Sequence, residues 1–168
     1  MIALKWKMTA IAAGLCMAMA MAGTAFAASV TTVNVALWDK GPDAATPDDA
    51  HPMGYGGKAD MAMAMLGVKA DVATVAAGTV TFKVTNSSRD IIHEMILSPL
   101  PADGAALPYL ASDYKVDEDA AGHLGEVSEL DPGATGALTV DLKPGRYILF
   151  CNLPAHFMNG MWTVVTVQ

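Results

Sequence analysis

An all-β sandwich or barrel is the fold that this sequence predicts. Three observations carry that expectation. Apolar and polar residues alternate with a period close to two, Val, Thr and Ile dominate the alternating runs, and Gly/Pro turns separate them with no long amphipathic helix. A first strand is expected over Val30 to Trp38, with Val33, Val35 and Leu37 on one face. A loop rich in Gly, Pro and Asp follows from Asp39 to Lys58, then extended chain with a kink from Asp60 to Val75, leading to the Ala77-Gly78 turn. Thr79 to Thr85 alternates cleanly, with Val80, Phe82 and Val84 inward. Further strands are expected over Ile91 to Ser98, Leu138 to Leu142, Tyr147 to Asn152 after the Lys143-Pro144-Gly145 turn, and Gly160 to Gln168. Six to eight short strands of this kind have to bury their apolar faces against one another, which makes a sandwich or a closed barrel.

Length and composition bound the rest. The 168 residues make one domain's worth of chain, and 53% apolar against 16% charged residues leaves no room for a disordered tail or a coiled coil. A net charge of -7 repels polyanions, so no nucleic-acid partner is expected. The N-terminus carries Lys5 and Lys7, an Ala/Met-rich apolar stretch from Ile11 to Ala22, and the small-x-small exit Ala25-Phe26-Ala27. That is the pattern of a secretory signal peptide over residues 1–27, which implies a periplasmic protein with no stable membrane insertion after cleavage. Losing Lys5 and Lys7 leaves 8 basic residues against 17 acidic ones, about -9 for residues 28–168. Cleavage also removes Cys16, and Cys151 is left alone in an oxidising compartment.

Pro99 to Asp131 is the exception to the strand pattern. It is long for a hairpin connection, so it is expected to be functional or to carry some local helix. Seven acids against the single base Lys115 lie between Asp113 and Asp131, an acidic insert between strands.

The solitary cysteine explains itself in its surroundings. Cys151, His156 and Met161 follow at five-residue intervals on a tight loop, with Pro154 and Gly160 bending the chain back. A thiolate, an imidazole and a thioether can converge there. Zinc seldom takes a thioether, whereas two imidazoles, one thiolate and a weak axial Met describe a mononuclear blue-copper site. The second imidazole is best supplied by His93, which lies in a strand well upstream; His51 sits in a Gly/Pro loop and His123 in the acidic insert. Taken singly, Cys151 and Met161 have the ordinary role of buried core residues, and His93 that of a satisfied core histidine. A Cys151/His156 nucleophile pair lacks an orienting acid and an oxyanion site.

At these residues the chain resembles the cupredoxins. YILFCNLPAHFMNGMWTVVTV is similar to the C-x4-H-x4-M ligand loop of blue copper proteins of the rusticyanin type, AGTVTFKVTNSSRDIIHEMIL to the strand-turn-strand that carries the first histidine, and LDPGATGALTVDLKPGRYILFC to the strand and turn leading into the cysteine. The resemblance covers most of residues 66–168. It implies a Greek-key β-sandwich formed by residues 28–168 as one domain, in which 28–65 supply an N-terminal strand and Met-containing loop and 66–168 the copper-binding core. It also implies that His93, Cys151 and His156 are equatorial copper ligands and Met161 the axial one. Two positions depart from the family pattern: Glu94 stands where plastocyanins and azurins often have Asn, and Ala155 where a Pro-Gly-His turn is common.

A multicopper oxidase would need His-x-His pairs, and the chain has four histidines and no such pair. The expectation is therefore one type 1 copper ion and no enzyme activity: a monomeric one-electron carrier between redox proteins such as a c-type cytochrome or a terminal oxidase or reductase. His156 is expected to present its ring edge through an apolar collar of Leu153, Pro154, Ala155, Phe157 and Met158. The acidic insert is expected either to steer a basic partner or simply to stay solvated. The alternative is a copper-tolerance protein with a second site, at which His51, Met53, Met61, Met63 and Met65 would hold Cu(I); the commoner role for such a Met stripe is one packed side of a strand.

Overall fold

The structure is a computed structural model that describes residues 30–47, 52–58 and 60–168. The expected signal peptide over residues 1–27, and His51, lie outside the described residues. Eleven strands follow in order: β1 (Thr31–Asp39), β2 (Leu66–Ala70), β3 (Thr74–Val75), β4 (Gly78–Asn86), β5 (His93–Pro99), β6 (Tyr109–Leu110), β7 (Lys115–Val116), β8 (Gly125–Leu130), β9 (Thr135–Leu142), β10 (Gly145–Phe150) and β11 (Trp162–Val167). One sheet has the order β2-β1-β4-β9 and the other β3-β11-β10-β5-β8, while β6 and β7 form a separate ribbon. Both sheets are mixed, since β1 runs parallel to β4 and β3 parallel to β11. The chain changes sheet between β2 and β3, β3 and β4, β4 and β5, β8 and β9, and β9 and β10, the crossing pattern of a Greek-key sandwich.

Alternation explains the first sheet. Val33, Val35 and Leu37 of β1 and Val80, Phe82 and Val84 of β4 are buried, and the residues between them face outward. They meet Met95, Leu97, Leu149, Val165 and Val167 from the second sheet in one apolar cluster. Trp38 pairs with Gly67 across β1 and β2, and a Cβ at Gly67 would lie 2.7 Å from its indole ring, so only glycine lets that ring lie flat over the strand.

The second sheet follows a different rule. β5 is buried from His93 to Ser98 and β10 from Tyr147 to Phe150 with no in-out alternation, because both faces of this sheet are covered. Ile96, Ile148 and Phe150 point away from the main core and pack against Leu100, Leu107, Val116, Ala121 and Phe157. Three of those partners, Leu107, Val116 and Ala121, lie in the stretch from Pro99 to Asp131, expected to be functional or to carry some local helix and read as an acidic insert between strands. That stretch is instead a cover: no helix forms in it, its β6–β7 ribbon lies over the sheet, and Gly125–Leu130 continues as β8 on the sheet edge. Exposed acids on one side of the cover hid its apolar underside.

The Met-containing loop also differs from expectation. Met61–Met63 form a single 3-10 turn, capped by the Asp60 carboxylate accepting from the Ala62 amide at 3.0 Å. The period-two Met spacing therefore does not describe one side of a strand.

Candidate metal centre

His93, Cys151 and His156 come together at one end of the sandwich because β5 and β10 are paired neighbours and β10 returns immediately into β11. His93 opens β5, Cys151 follows the last residue of β10, and Met161 precedes the first residue of β11. The β5–β8 ladder shifts register between His93 and Met95: two steps along β5 face three along β8, from Leu130 to Val127, so the extra residue lies in β8 beside the start of β5. The ligand loop closes on itself: His156 N–H donates to Leu153 O, Met161 N–H to His156 O, and Cys151 N–H to Met161 O, at 3.0 to 3.1 Å.

Ala155 occupies the left-handed region at φ 70°, the conformation that the glycine of the commoner turn would adopt without strain. Its amide donates to Tyr114 O at 2.9 Å, so the ribbon segment holds the loop in this shape. Gly160 sits at φ 98°, and a Cβ there would press within 3.2 Å of both Ala64 and Met61.

The donor atoms converge. His156 Nδ1 lies 3.2 Å from Cys151 Sγ and 3.3 Å from His93 Nδ1, and the three side chains offer ligand atoms that all lie within 4.8 Å of one another. Donors held at about 2.0–2.3 Å from a shared ion stand roughly 3.3–3.7 Å apart, so these separations suit one small metal ion. Met161, fully buried in the main core cluster, adds a thioether from the same loop. The donor set is soft, closed and dry, which fits copper better than zinc and excludes magnesium or calcium, ions that require oxygen ligands.

Two contacts outside the ligand set are as informative. Glu94 N–H donates to Cys151 Sγ at 3.4 Å. His93 turns its far nitrogen, Nε2, to Asp39 Oδ2 at 3.1 Å, which leaves Nδ1 free to face the cluster. No pattern in the sequence marks Asp39 as a partner of His93, because a carboxylate 54 residues away carries no local signal. Glu94, at the position that departs from the family pattern, is buried. Its Oε1 accepts from Asn152 N–H at 3.1 Å, and the Asn152 side-chain amide in turn holds the Val116 backbone, Oδ1 accepting from Val116 N–H and Nδ2 donating to Val116 O. The departure thus links the two ligand-bearing strands to the covering ribbon.

Burial governs protonation. Desolvation pushes the Cys151 thiol up to about 12 and the Glu94 carboxyl up to about 7. The same cause lowers His93, and it lowers His156 to about 4 with help from neighbouring His93. Burial thus favours the neutral form of all three donors, with the His156 ring between Cys151 and His93.

The expected collar is only partly present. Ala155 and Phe157 are buried, Leu153 and Met158 half-buried and Pro154 exposed, and His156 keeps 4% of its surface. The reason is the segment after β1, which straps the loop: Asn159 Nδ2 donates to Ala44 O and Thr46 O, Met53 N–H to Met158 O, and Trp162 Nε1–H to Met53 O. Met61, Met63 and Met65 lie exposed beyond this strap.

Fold and site define a small β-sandwich with one soft, buried donor cluster at its end. No protein-family model and no curated protein matches the sequence. Among solved structures, reduced auracyanin from the photosynthetic bacterium Roseiflexus castenholzii is similar at 20% identity, over 82% of this chain and 97% of that one, with a TM-score of 0.46. Reduced rusticyanin is similar at 17% identity, over 82% and 80%, with a TM-score of 0.49. Rusticyanin from Thiobacillus ferrooxidans is similar at 16% identity, over 82% and 78%, with a TM-score of 0.48. What this chain binds is decided by its own donor set.

Proposed function

We propose that this protein is an exported type 1 copper protein of the cupredoxin kind, carrying single electrons between redox proteins. The observation that supports it best is the convergence of His93 Nδ1, His156 Nδ1 and Cys151 Sγ, all buried, with Met161 buried on the same loop. Copper bound there supplies a one-electron Cu(I)/Cu(II) couple. The residues supply the rest. His93, Cys151 and His156 are the strong ligands and Met161 the weak one, a set acceptable to both oxidation states. The Glu94 amide stabilises thiolate charge on Cys151. The hydrogen-bonded ligand loop and the contacts it receives from Ala44, Thr46 and Met53 hold the donors in place, so little rearranges when an electron passes. An electron taken from a reduced donor protein leaves again to an oxidised acceptor, and no bond to a substrate is made.

Contact with a partner falls to Pro154, Leu153 and Met158, which surround the barely exposed His156; small, short-lived interfaces suit such traffic. Acids of the cover, among them Asp113 and Asp119, are exposed and favour a basic partner such as a c-type cytochrome. Export is supported by the leader-like sequence of residues 1–27. No helix among the described residues is long and apolar enough to cross a membrane.

The test is to load the mature protein with Cu(II) and record its visible spectrum. One copper per chain with an intense thiolate-to-copper band is expected, and Cys151→Ser abolishes the band. A colourless protein holding stoichiometric zinc overturns the proposal.

A further inference from the structure

The contact between Asp39 and His93 asks for a role of its own. Asp39 ends β1, in the opposite sheet from His93, and its side chain is only 3% exposed against a fully buried imidazole. Both carboxylate oxygens are engaged: Oδ2 accepts from His93 Nε2 at 3.1 Å and Oδ1 from Gly41 N–H at 2.8 Å. The backbone around it is tied down as well, since Lys40 N–H donates to Met65 O at 2.8 Å and Asn159 grips the chain at Ala44 and Thr46. Among the described residues its ion-pair partner is His93, and no Lys or Arg forms an ion pair with it. A buried anion in this position is costly unless something positive compensates it.

From this we infer that Asp39 is a positioning residue that also sets the charge of the centre: it fixes His93 with Nδ1 toward the metal and stabilises Cu(II) over Cu(I). The inference rests on the copper reading above. Two neutral imidazoles and one thiolate leave the centre at +1 with Cu(II) and neutral with Cu(I). A carboxylate bonded to the back of one ligand therefore attracts only the oxidised form. Carboxylate partners of ligating histidines act in this way, orienting the ring and raising its basicity. Because the pair is buried, salt screens it little.

The experiment compares wild type with Asp39→Asn, which keeps the size of the side chain and removes its charge. The ratio of Cu(II) to Cu(I) affinities is expected to fall at least tenfold, which raises the reduction potential by about 59 mV or more for a one-electron couple. The visible band persists. A merely structural role would weaken both oxidation states alike and leave the potential in place, and that result overturns the inference. Should Asp39→Asn fail to fold, wild type loaded with diamagnetic zinc gives a second answer by 15N NMR. The His93 Nε2 proton is expected to exchange slowly with water, and rapid exchange overturns the inference. If wild type never shows the thiolate-to-copper band, the copper reading itself fails; if the band is present and the potential of the variant is unmoved, only the role of Asp39 fails.

Discussion

Metal binding at this centre has to expel a proton, and the structure says how many. Burial pushes the Cys151 thiol up to about 12, so at pH 7 the site holds the thiol and not the thiolate that a metal needs. Both histidines titrate below their ordinary range and are already neutral at that pH, so they release nothing. One proton therefore leaves per ion bound. Apparent affinity is expected to rise tenfold for each pH unit above 7, about 30-fold between pH 7.0 and 8.5. Co(II) is the suitable probe because it does not oxidise the thiol, and competition with a chelator of known pH dependence measures it. Cys151→Ser should bind more weakly and lose the dependence, since a hydroxyl does not ionise in this range. An affinity flat from pH 7.0 to 8.5 in wild type would refute the reasoning, by showing that the thiolate is preformed or is not a ligand.

Four other outcomes follow from the same geometry. Met161→Leu should keep one copper per chain while shifting the visible band and raising the potential, as measured by redox titration; loss of copper would show that the thioether is a principal ligand. In the metal-free protein Glu94 titrates near 7 instead of 4.5, so the stability it contributes is complete below about pH 4.5 and is lost as pH rises to about 7. The stability of Glu94→Gln relative to wild type, from denaturant titrations, should accordingly increase over that window, and a difference that ignores pH would discard the assignment. Ala155→Gly removes a left-handed Cβ at a cost in unfolded-state entropy, for a net gain of up to about 1 kcal/mol in thermal unfolding; a loss above 1 kcal/mol would mean the methyl group packs usefully. Association with a basic cytochrome should slow steeply as ionic strength rises if the exposed acids of the cover steer it, and stopped-flow rates independent of salt would leave those acids only a solubilising role.

Where one face of a strand is buried, that burial writes itself into the amino acids as an alternation of two, and β1 and β4 were legible for that reason. The spacing of Cys151, His156 and Met161 was equally legible, because a tight loop between paired strands keeps residues that are close in sequence close in space. Local pattern also suggested the breaks at Lys143-Pro144-Gly145 and Ala77-Gly78. It misled where one segment serves two environments: the stretch from Pro99 to Leu124 shows its acids to water and Leu107, Val116 and Ala121 to the sheet, and the irregular path between them leaves no period to read. The Met61 to Met65 spacing imitated a strand that a single capped turn replaces.

Pairings between distant segments were decided only by the tertiary structure. A strand from residues 93–99 had to lie beside one from 145–150 before His93 could reach Cys151, and the two sheets had to pack face to face before Asp39, at the end of β1, could meet His93. Sequence by itself determined which donors were available and that three of them would share a loop. Packing chose the fourth, buried the cluster, and set a carboxylate behind it, since the energy of a buried charge depends on what surrounds it in space and not on its neighbours along the chain.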